Sequence, residues 1–229
     1  MVVTEFLSLD DDVSLNLERA DAAAEQSWQQ QKSAATRARL IDATIRCLVQ
    51  HGYSRTAMSL VAAEAGLSRG AVLHHFANGD ALIQATIIEL HERRLNAFRR
   101  ASKAHVRDVR AMVRDYWRQL QKPAFTAFQE LAMVARTDAA LAQVLQPLQI
   151  EYNDRFHALA DQLYPDWVDA PEQFRLAMTL SQLLMEGMTL ARLTGAMDET
   201  LIEPLLDFLE KSVVALRPGD ATPANGGRP

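Results

Sequence analysis

The segment from Thr56 to Phe76 constrains the fold of this chain most, because it has the pattern of two short helices joined by a tight turn. Thr56 and Ser68 stand where a helix N-cap belongs, since each hydroxyl can accept a hydrogen bond from an unpaired N–H of the first turn. Gly66 lies just past the first helix, where the chain needs a left-handed residue to reverse direction. The pattern predicts a helix-turn-helix whose second helix is suited to enter a groove of DNA.

The remainder of the chain has the pattern of an all-α protein. Glycine and proline are scarce between residues 33 and 216, and no stretch shows the alternating apolar pattern of a β-strand. The hydrophobic share of 48% and the charged share of 23% are ordinary values for a globular chain. Apolar residues at helical spacing predict further helices over about 33–51, 79–103, 106–121, 123–135, 138–163, 172–194 and 199–216.

The helical pattern divides the chain into five predicted parts. Residues 1–32 are polar and acidic, which predicts a flexible arm, with a short helix around residues 15–30 as the alternative. Asn78 is expected to cap the long helix that links the two helical domains. In chain order the parts are the acidic arm 1–32, the helix-turn-helix DNA-binding domain 33–78, the linking helix 79–105, the ligand-binding and dimerisation domain 106–216, and a disordered tail 217–229.

The distribution of charge favours a nucleic-acid partner although the net charge is −5. Residues 33–105 contain ten Lys or Arg against five Asp or Glu, whereas the segments on either side each carry a charge of −5. A polyanion meets the local field of the positive segment, which contains the helix-turn-helix. The single Cys47 excludes an internal disulfide and suits a reducing cytoplasm, and the chain shows neither a signal peptide nor a membrane span.

Residues 36–90 resemble the N-terminal DNA-binding domain of the TetR/AcrR family of transcriptional regulators. The matching features include Thr36-Arg37 before the first helix, Gly52-Tyr53 after it, the Ala65-Gly66-Leu67-Ser68 turn, the Arg69-Gly70…His74-His75-Phe76 helix and Asp80-Ala81-Leu82. The resemblance implies a homodimer that binds double-stranded DNA at a palindromic operator. It also implies that a small-molecule effector binds to the C-terminal domain and releases the DNA.

The resemblance implies that the second helix of the motif lies in the major groove, with Arg69, Gly70 and Ala71 near the bases. Arg69 can donate two hydrogen bonds to a guanine, and the alternative is an ordinary surface arginine. The resemblance also implies that His74 and His75 face phosphates, with ordinary polarity of the helix surface as the alternative. A shared metal is disfavoured, because adjacent helical residues point about 100° apart. The candidate DNA-binding set is Arg37, Arg55, Thr56, Ser68, Arg69, Gly70, Ala71, His74 and His75.

Three residues depart from the family pattern. Leu73 stands where the family usually has a tyrosine that contacts phosphate, Gly79 where a lysine is common, and Ala71 where threonine is frequent. Each departure removes a polar contact to DNA. We therefore expect weaker non-specific affinity than is typical, or a larger contribution from arginines such as Arg37, Arg39, Arg55 and Arg69, with Leu73 available for contact with a thymine methyl.

The C-terminal half is rich in Met and aromatic residues, which are ordinary core residues singly but together suit an apolar ligand cavity. The candidate pocket residues are Met112, Tyr116, Phe125, Phe128, Gln129, Met133, Tyr152, Phe156, Met178, Gln182 and Met185. The helix over 172–194 is apolar nearly all round, which predicts burial against a second subunit. The candidate dimer interface is Leu180, Leu184, Gly187, Ala191, Ile202, Leu205, Leu209 and Val213.

These features predict a ligand-responsive repressor that is released by a small apolar or amphipathic effector and needs no metal or cofactor. An effector-independent or protein-regulated DNA-binding protein is the alternative, which a solidly packed C-terminal domain would favour. An enzyme is disfavoured, because no Gly-rich phosphate loop, nucleophile elbow or set of metal ligands at useful spacing occurs in the sequence.

Overall fold

The computed structural model describes the backbone of residues 7–104 and 108–217, and the side chains of those residues from Trp28 onward. Helices account for nearly all of these residues and no strand occurs among them, so the predicted all-α fold is confirmed. The helices are α1 (Leu7–His51), α2 (Met58–Glu64), α3 (Arg69–His75), α4 (Gly79–Ala104), α5 (Val109–Leu120), α6 (Pro123–Ala135), α7 (Ala139–Leu163), α8 (Pro171–Leu193) and α9 (Ile202–Leu216).

Local capping chemistry sets several of the helix starts. Asn78 Oδ1 accepts a hydrogen bond from the Ala81 N–H at 2.8 Å, as predicted. Asp138 does the same for the Leu141 N–H at 3.0 Å, which starts α7. Pro123 takes the first position of α6, where its missing N–H removes no helical bond.

Helix α1 differs from the predicted arm over residues 1–32. It begins at Leu7 and runs without interruption into the packed part of the molecule, and it is longer than the alternative helix over residues 15–30. Residues 7–32 contain neither glycine nor proline and are rich in Leu, Ala and Gln, so the helix continues backwards from its packed end. Most of the predicted tail, residues 218–229, lies outside the described residues.

Two hydrophobic cores fill the molecule, and their division differs from the predicted domain boundary. The first core contains residues of α1–α3 and the first half of α4, but also Phe128 and Leu131 of α6 and Leu141 of α7. The second core is built from the end of α4 with α5, α8, α9 and the rest of α7. Because α6 lays Phe128 and Leu131 against α1, part of the predicted 106–216 domain belongs to the core beneath the helix-turn-helix.

Helix α8 packs one side on the second core and leaves the opposite side apolar and exposed. Phe174, Met185 and Met188 are buried. Leu176 and Leu183 are 56% and 65% exposed, respectively, on the other side. Along the described ranges no helix is long and apolar enough to cross a membrane.

Candidate nucleic-acid interface and ligand cavities

The turn between α2 and α3 depends on a glycine in the left-handed conformation. Gly66 has φ +61°, its N–H donates to the Ala63 carbonyl at 3.0 Å, and the Leu67 N–H donates to the Ala62 carbonyl at 2.9 Å. These two bonds form the Schellman ending of an α-helix. A Cβ at Gly66 would also meet the Arg39 guanidinium at 2.9 Å. The predicted turn glycine is therefore confirmed by its left-handed backbone conformation.

Ser68 begins α3 as predicted, because its hydroxyl accepts a hydrogen bond from the Ala71 N–H at 3.1 Å. Val72 and Phe76 are buried at 0% and 2% exposure, which fixes the inner side of this short helix. Arg69 and Leu73 lie one turn apart and are both exposed. The helix thus presents an arginine and an apolar side chain together to solvent, with Gly70 and His74 beside them.

Arg37 holds the end of α3 against α1. Its Nη1 donates to the His75 carbonyl at 2.8 Å, and its guanidinium lies 4.2 Å from the centre of the Phe76 ring. Partial burial, with smaller contributions from His74 and Arg37, lowers the pKa of His75. Arg55 similarly donates from Nε to the His51 carbonyl at 2.8 Å, at the end of α1. Both arginines therefore have a structural contact in addition to the DNA contact predicted for them.

The predicted N-cap role of Thr56 is wrong. A short 3₁₀ turn over Tyr53–Arg55 precedes α2, and the Thr56 hydroxyl donates back to the Gly52 carbonyl at 2.7 Å. The residue at the N-cap of α2 is Ala57, which has no side-chain cap. Thr56 therefore closes the preceding turn and lies one residue before the N-cap of α2.

Glu130 connects α6 to the helix-turn-helix, a contact that sequence reasoning missed. Its Oε1 accepts a hydrogen bond from the Tyr53 N–H at 2.7 Å, across 77 residues of chain. Gly52, at φ +76°, leaves the room for this contact, since a Cβ there would lie 2.9 Å from the same oxygen. No local pattern marks a bond between residues so far apart in the chain. It ties the turn before α2 to the helix that also borders a cleft described below.

A small, partly enclosed cavity of about 40 Å³, called the internal cavity below, lies between α4, α5, α7 and α8. Phe98 of α4 and Val113 of α5 contribute apolar walls that the sequence prediction did not include. Six predicted pocket residues line this cavity: Met112, Tyr116, Phe156, Met178, Gln182 and Met185.

A larger, open cleft of about 430 Å³ lies between α1, α4, α5 and α6. Phe125 lines it, and Tyr116 borders both this cleft and the internal cavity. Five cations also line it, which distinguishes it from the apolar cavity: Arg46, Arg93, Arg94, Arg100 and Lys122. We call this site the basic cleft.

Four predicted pocket residues lie outside both spaces. Met133 is 56% exposed on the outer side of α6, so its assignment to an internal pocket is wrong. Gln129 lines neither the internal cavity nor the basic cleft. Phe128 and Tyr152 are buried, but they pack around Arg94 rather than border a cavity of ligand size. Three of the four lie on α6, and helical spacing could not establish which side of α6 faces α1, whereas Tyr152 lies on α7.

Arg94 and His91 form a buried polar cluster on α4. The Arg94 Nη2 donates to Glu186 Oε1 of α8 at 2.8 Å, and its guanidinium lies 4.5 Å from the centre of the Tyr152 ring. His91 is 4% exposed and stacks on Tyr152 with ring centres 4.7 Å apart. Burial, with a smaller contribution from the Arg94 charge, lowers the pKa of His91 to about 4. His91 is therefore neutral at neutral pH.

The predicted dimer set is partly wrong. Leu209 and Val213 are buried within one subunit, at 0% and 6% exposure, so they cannot contact a partner. The exposed apolar side includes leucines that the prediction left out, because α8 is apolar nearly all round and spacing alone did not distinguish its sides. Its exposed members are Leu176, Leu183, Leu190, Leu193, Leu201 and Phe208. Beside them Gly187 is exposed, while Leu180, Leu184, Ala191, Ile202 and Leu205 are half-buried.

The part of the chain that the structure describes holds no group of three or more His, Cys, Asp or Glu residues able to bind a metal. The His74 and His75 rings lie edge to face with centres 5.2 Å apart.

Comparison with known proteins gives a family match that overlaps the helix-turn-helix described above. Residues 40–86 match the family described as bacterial regulatory proteins, tetR family. The chain is 29% identical over 171 residues to an uncharacterised HTH-type transcriptional regulator of Mycobacterium tuberculosis, covering 72% of this chain and 86% of that one. It is 38% identical over 60 residues to an HTH-type transcriptional repressor of the same organism, covering 26% and 32% of the two chains.

The fold is similar to that of solved structures over most of its length. A TetR-family regulator from Marinobacter aquaeolei VT8 superposes with a TM-score of 0.60 at 18% identity, covering 80% of this chain and 97% of that chain.

Proposed function

We propose that this chain is a TetR-family repressor that binds a palindromic operator as a homodimer and is released by a small effector. The match of residues 40–86 to the tetR family of bacterial regulatory proteins supports the family. The proposed DNA binding rests on the exposed side of α3. Gly66 and Ser68 fix this helix at its start, and its buried residues turn Arg69 and Leu73 toward solvent. Similarity over 60 residues to a transcriptional repressor supports repression rather than activation.

Arg69 is the residue best suited to select a base. It is exposed, it lies at the start of α3, and no ion pair or hydrogen bond within the described residues engages its guanidinium. A free guanidinium can donate to both O6 and N7 of one guanine. Leu73, one turn further along, offers an apolar surface to a thymine methyl.

Dimerisation is proposed to use the exposed side of α8 and α9. Leu183, Leu190 and Phe208 are 65%, 42% and 61% exposed, respectively. A soluble monomer rarely exposes an apolar strip of this kind, and a second copy of the same two helices covers it in a four-helix arrangement. The dimer places two α3 helices on one side of the DNA, at the half-site spacing of about 34–36 Å that one helical turn requires.

Release is proposed to act through helices that belong to both cores. Helix α4 contributes to both, and α6 reaches the turn before α2 through Glu130 and Tyr53. A ligand that displaces either helix changes the separation of the two α3 helices, and a shift of a few ångströms mismatches them with half-sites on B-DNA.

An effector-independent regulator is the second candidate, and the small internal cavity is the observation that favours it. About 40 Å³ is far below the roughly 300–1,000 Å³ of ordinary small-molecule sites. The basic cleft, at about 430 Å³, is within that range and supports the effector-dependent function.

The proposed DNA contact is tested by selecting bound duplexes from a random-sequence library with the full-length protein. Affinity for the selected duplex is then measured for Arg69→Ala and for Arg175→Ala, which removes an exposed arginine on α8. We expect Arg69→Ala to weaken binding about tenfold or more and to relax one base position per half-site, since a guanine contact contributes about 1–3 kcal/mol. Equal affinity of Arg69→Ala and the wild type would contradict the assignment.

A further inference from the structure

We propose that the basic cleft binds a small organic carboxylate with an apolar body, and that this ligand is the effector. The effector role rests on the proposed function, whereas the binding site itself does not. The cleft is bounded by α1, α4, α5 and α6, and it combines five cations with apolar walls in one concave space. Only one acidic residue, Asp42, lines it.

The cations of the basic cleft exceed the carboxylates that neutralise them. Neither Arg100 nor Lys122 has a carboxylate within ion-pair distance among the described residues, and both side chains are exposed. The cleft therefore keeps two uncompensated positive charges. The other three cations are paired: Arg46 with Glu64, Arg93 with Asp42 and Glu89, and Arg94 with Glu186.

Arg94 offers an unused donor at the inner wall. Its Nη1 is buried without an aligned hydrogen-bond acceptor, although the Tyr116 hydroxyl is close enough to interact with the guanidinium. A buried donor that lacks an acceptor costs free energy, which a ligand oxygen recovers. Guanidinium and carboxylate have matching planar geometry, so a carboxylate is the group that this wall and the two free cations recognise together.

The apolar walls define the rest of the ligand. Ile45, Leu120 and Phe125 line the cleft beside the cations, and they match a hydrocarbon or aromatic body. Ala97, Tyr116 and Gln119 border both the cleft and the internal cavity. The apolar body is expected to lie against this shared wall, where displacement of Tyr116 would join the two spaces.

The position of the basic cleft gives the ligand a route to the DNA-binding motif. On the α1 side, Arg46 is paired with Glu64 of α2 at 2.5 Å. On the α6 side, the cleft is lined by Pro123 and Phe125, and the same helix holds the Tyr53 N–H through Glu130. A ligand between α1 and α6 thus acts on the two helices that fix the position of α2.

Isothermal titration calorimetry of the full-length protein with octanoate and with octanamide tests the site. The two probes share an alkyl chain and differ in charge. We expect octanoate to bind the wild type about tenfold or more tightly than octanamide does, since charge-assisted bonds are roughly twice as strong as neutral ones. The double variant Arg100→Gln/Lys122→Gln should lose this preference, while retained helical circular dichroism shows that it is folded.

Arg99→Gln is the matched control, because Arg99 is the neighbouring exposed arginine on α4, bonds only to Asn96 in the described structure and does not line the cleft. It should bind octanoate as the wild type does. Equal affinity of the wild type for the two probes would overturn the proposal, as would unchanged octanoate affinity in the double variant. Weaker DNA binding by the double variant with unchanged octanoate affinity would make the two cations DNA contacts and would also overturn it.

The effector role is measured separately, by fluorescence anisotropy of the selected duplex with added octanoate. Release of DNA from the wild type but not from the double variant supports it. If the wild type selects no duplex, the proposed function fails, and the calorimetric result still decides the carboxylate site because it is obtained without DNA. Octanoate binding in the cleft without release of DNA would overturn the effector role alone.

Discussion

Removing the Glu130 side chain should loosen the turn before α2 more than any other part of the protein. Glu130 Oε1 accepts a hydrogen bond from the Tyr53 N–H at 2.7 Å, and this is a partly buried bond to a charged acceptor. Such bonds contribute about 1.5–3 kcal/mol. Because water can reach a half-buried N–H after the side chain is removed, we expect Glu130→Ala to lower the free energy of local opening by about 1–2 kcal/mol.

Amide hydrogen exchange at Tyr53, followed by NMR, measures that opening directly. A loss of about 1–2 kcal/mol corresponds to exchange that is roughly 5–30 times faster. Glu130→Gln keeps an oxygen acceptor, so it should lower the free energy of local opening by only about half as much as Glu130→Ala does. The reason is that charge-assisted hydrogen bonds are roughly twice as strong as neutral ones. Gln129→Ala, at the adjacent position of α6, is the control and should leave the Tyr53 amide unchanged.

A Tyr53 amide that exchanges at the wild-type rate in Glu130→Ala would contradict this role of Glu130. A uniform increase at all amides would also refute it, because that pattern reports global destabilisation rather than the loss of one local bond. If the local effect is found, Glu130→Ala should also weaken the coupling between a ligand in the basic cleft and DNA binding, without changing ligand affinity in the absence of DNA.

Three further predictions concern DNA affinity, pH and assembly. Leu73→Tyr should raise DNA affinity a few-fold by adding a neutral hydrogen bond to phosphate, with an unchanged slope against salt because no counterion is released; weaker binding in fluorescence anisotropy would show that Leu73 itself contacts the bases. His91 has a pKa of about 4 in the folded protein and about 6.5 when unfolded, so the unfolded state binds its proton first as pH falls. The free energy of unfolding therefore falls by about 3 kcal/mol as pH falls from 6.5 toward 4, and it keeps its full value above pH 6.5. Urea unfolding of His91→Gln should lack this part of the pH dependence. An unchanged pH profile in His91→Gln would contradict the burial of a neutral His91. Leu183→Glu should shift sedimentation from dimer to monomer, whereas Arg175→Ala should not, and a dimeric Leu183→Glu protein would place the interface elsewhere.

The features that the sequence predicts correctly depend on neighbours a few residues apart. Ser68 caps the N–H three positions later, Asn78 does the same, and Gly66 reverses the chain through bonds to the helix just before it. Thr56 shows the limit of this reasoning, since its hydroxyl could cap α2 or return to Gly52, and the 3₁₀ turn decided the outcome.

The parts that were missed depend on which sides of distant helices meet. Spacing placed Met133 and Phe128 on one apolar helix but could not show that Phe128 faces α1 while Met133 faces solvent. It equally placed Leu209 on an apolar side of α9 without showing that the subunit's own core buries it. The basic cleft has no sequence signal at all, because its cations come from α1, α4 and the start of α6 and no short motif contains them.

Recognition of a symmetric operator by the α3 helices of a homodimer is tested by selection from a random duplex library, followed by footprinting. We expect an enriched inverted repeat, with half-sites that lie one helical turn or about 34–36 Å apart and are protected together. We also expect Arg69→Ala to lose one base preference in each half-site. Absence of any enriched sequence, or a single asymmetric site that Arg69→Ala binds as well as the wild type, would contradict this mode of recognition.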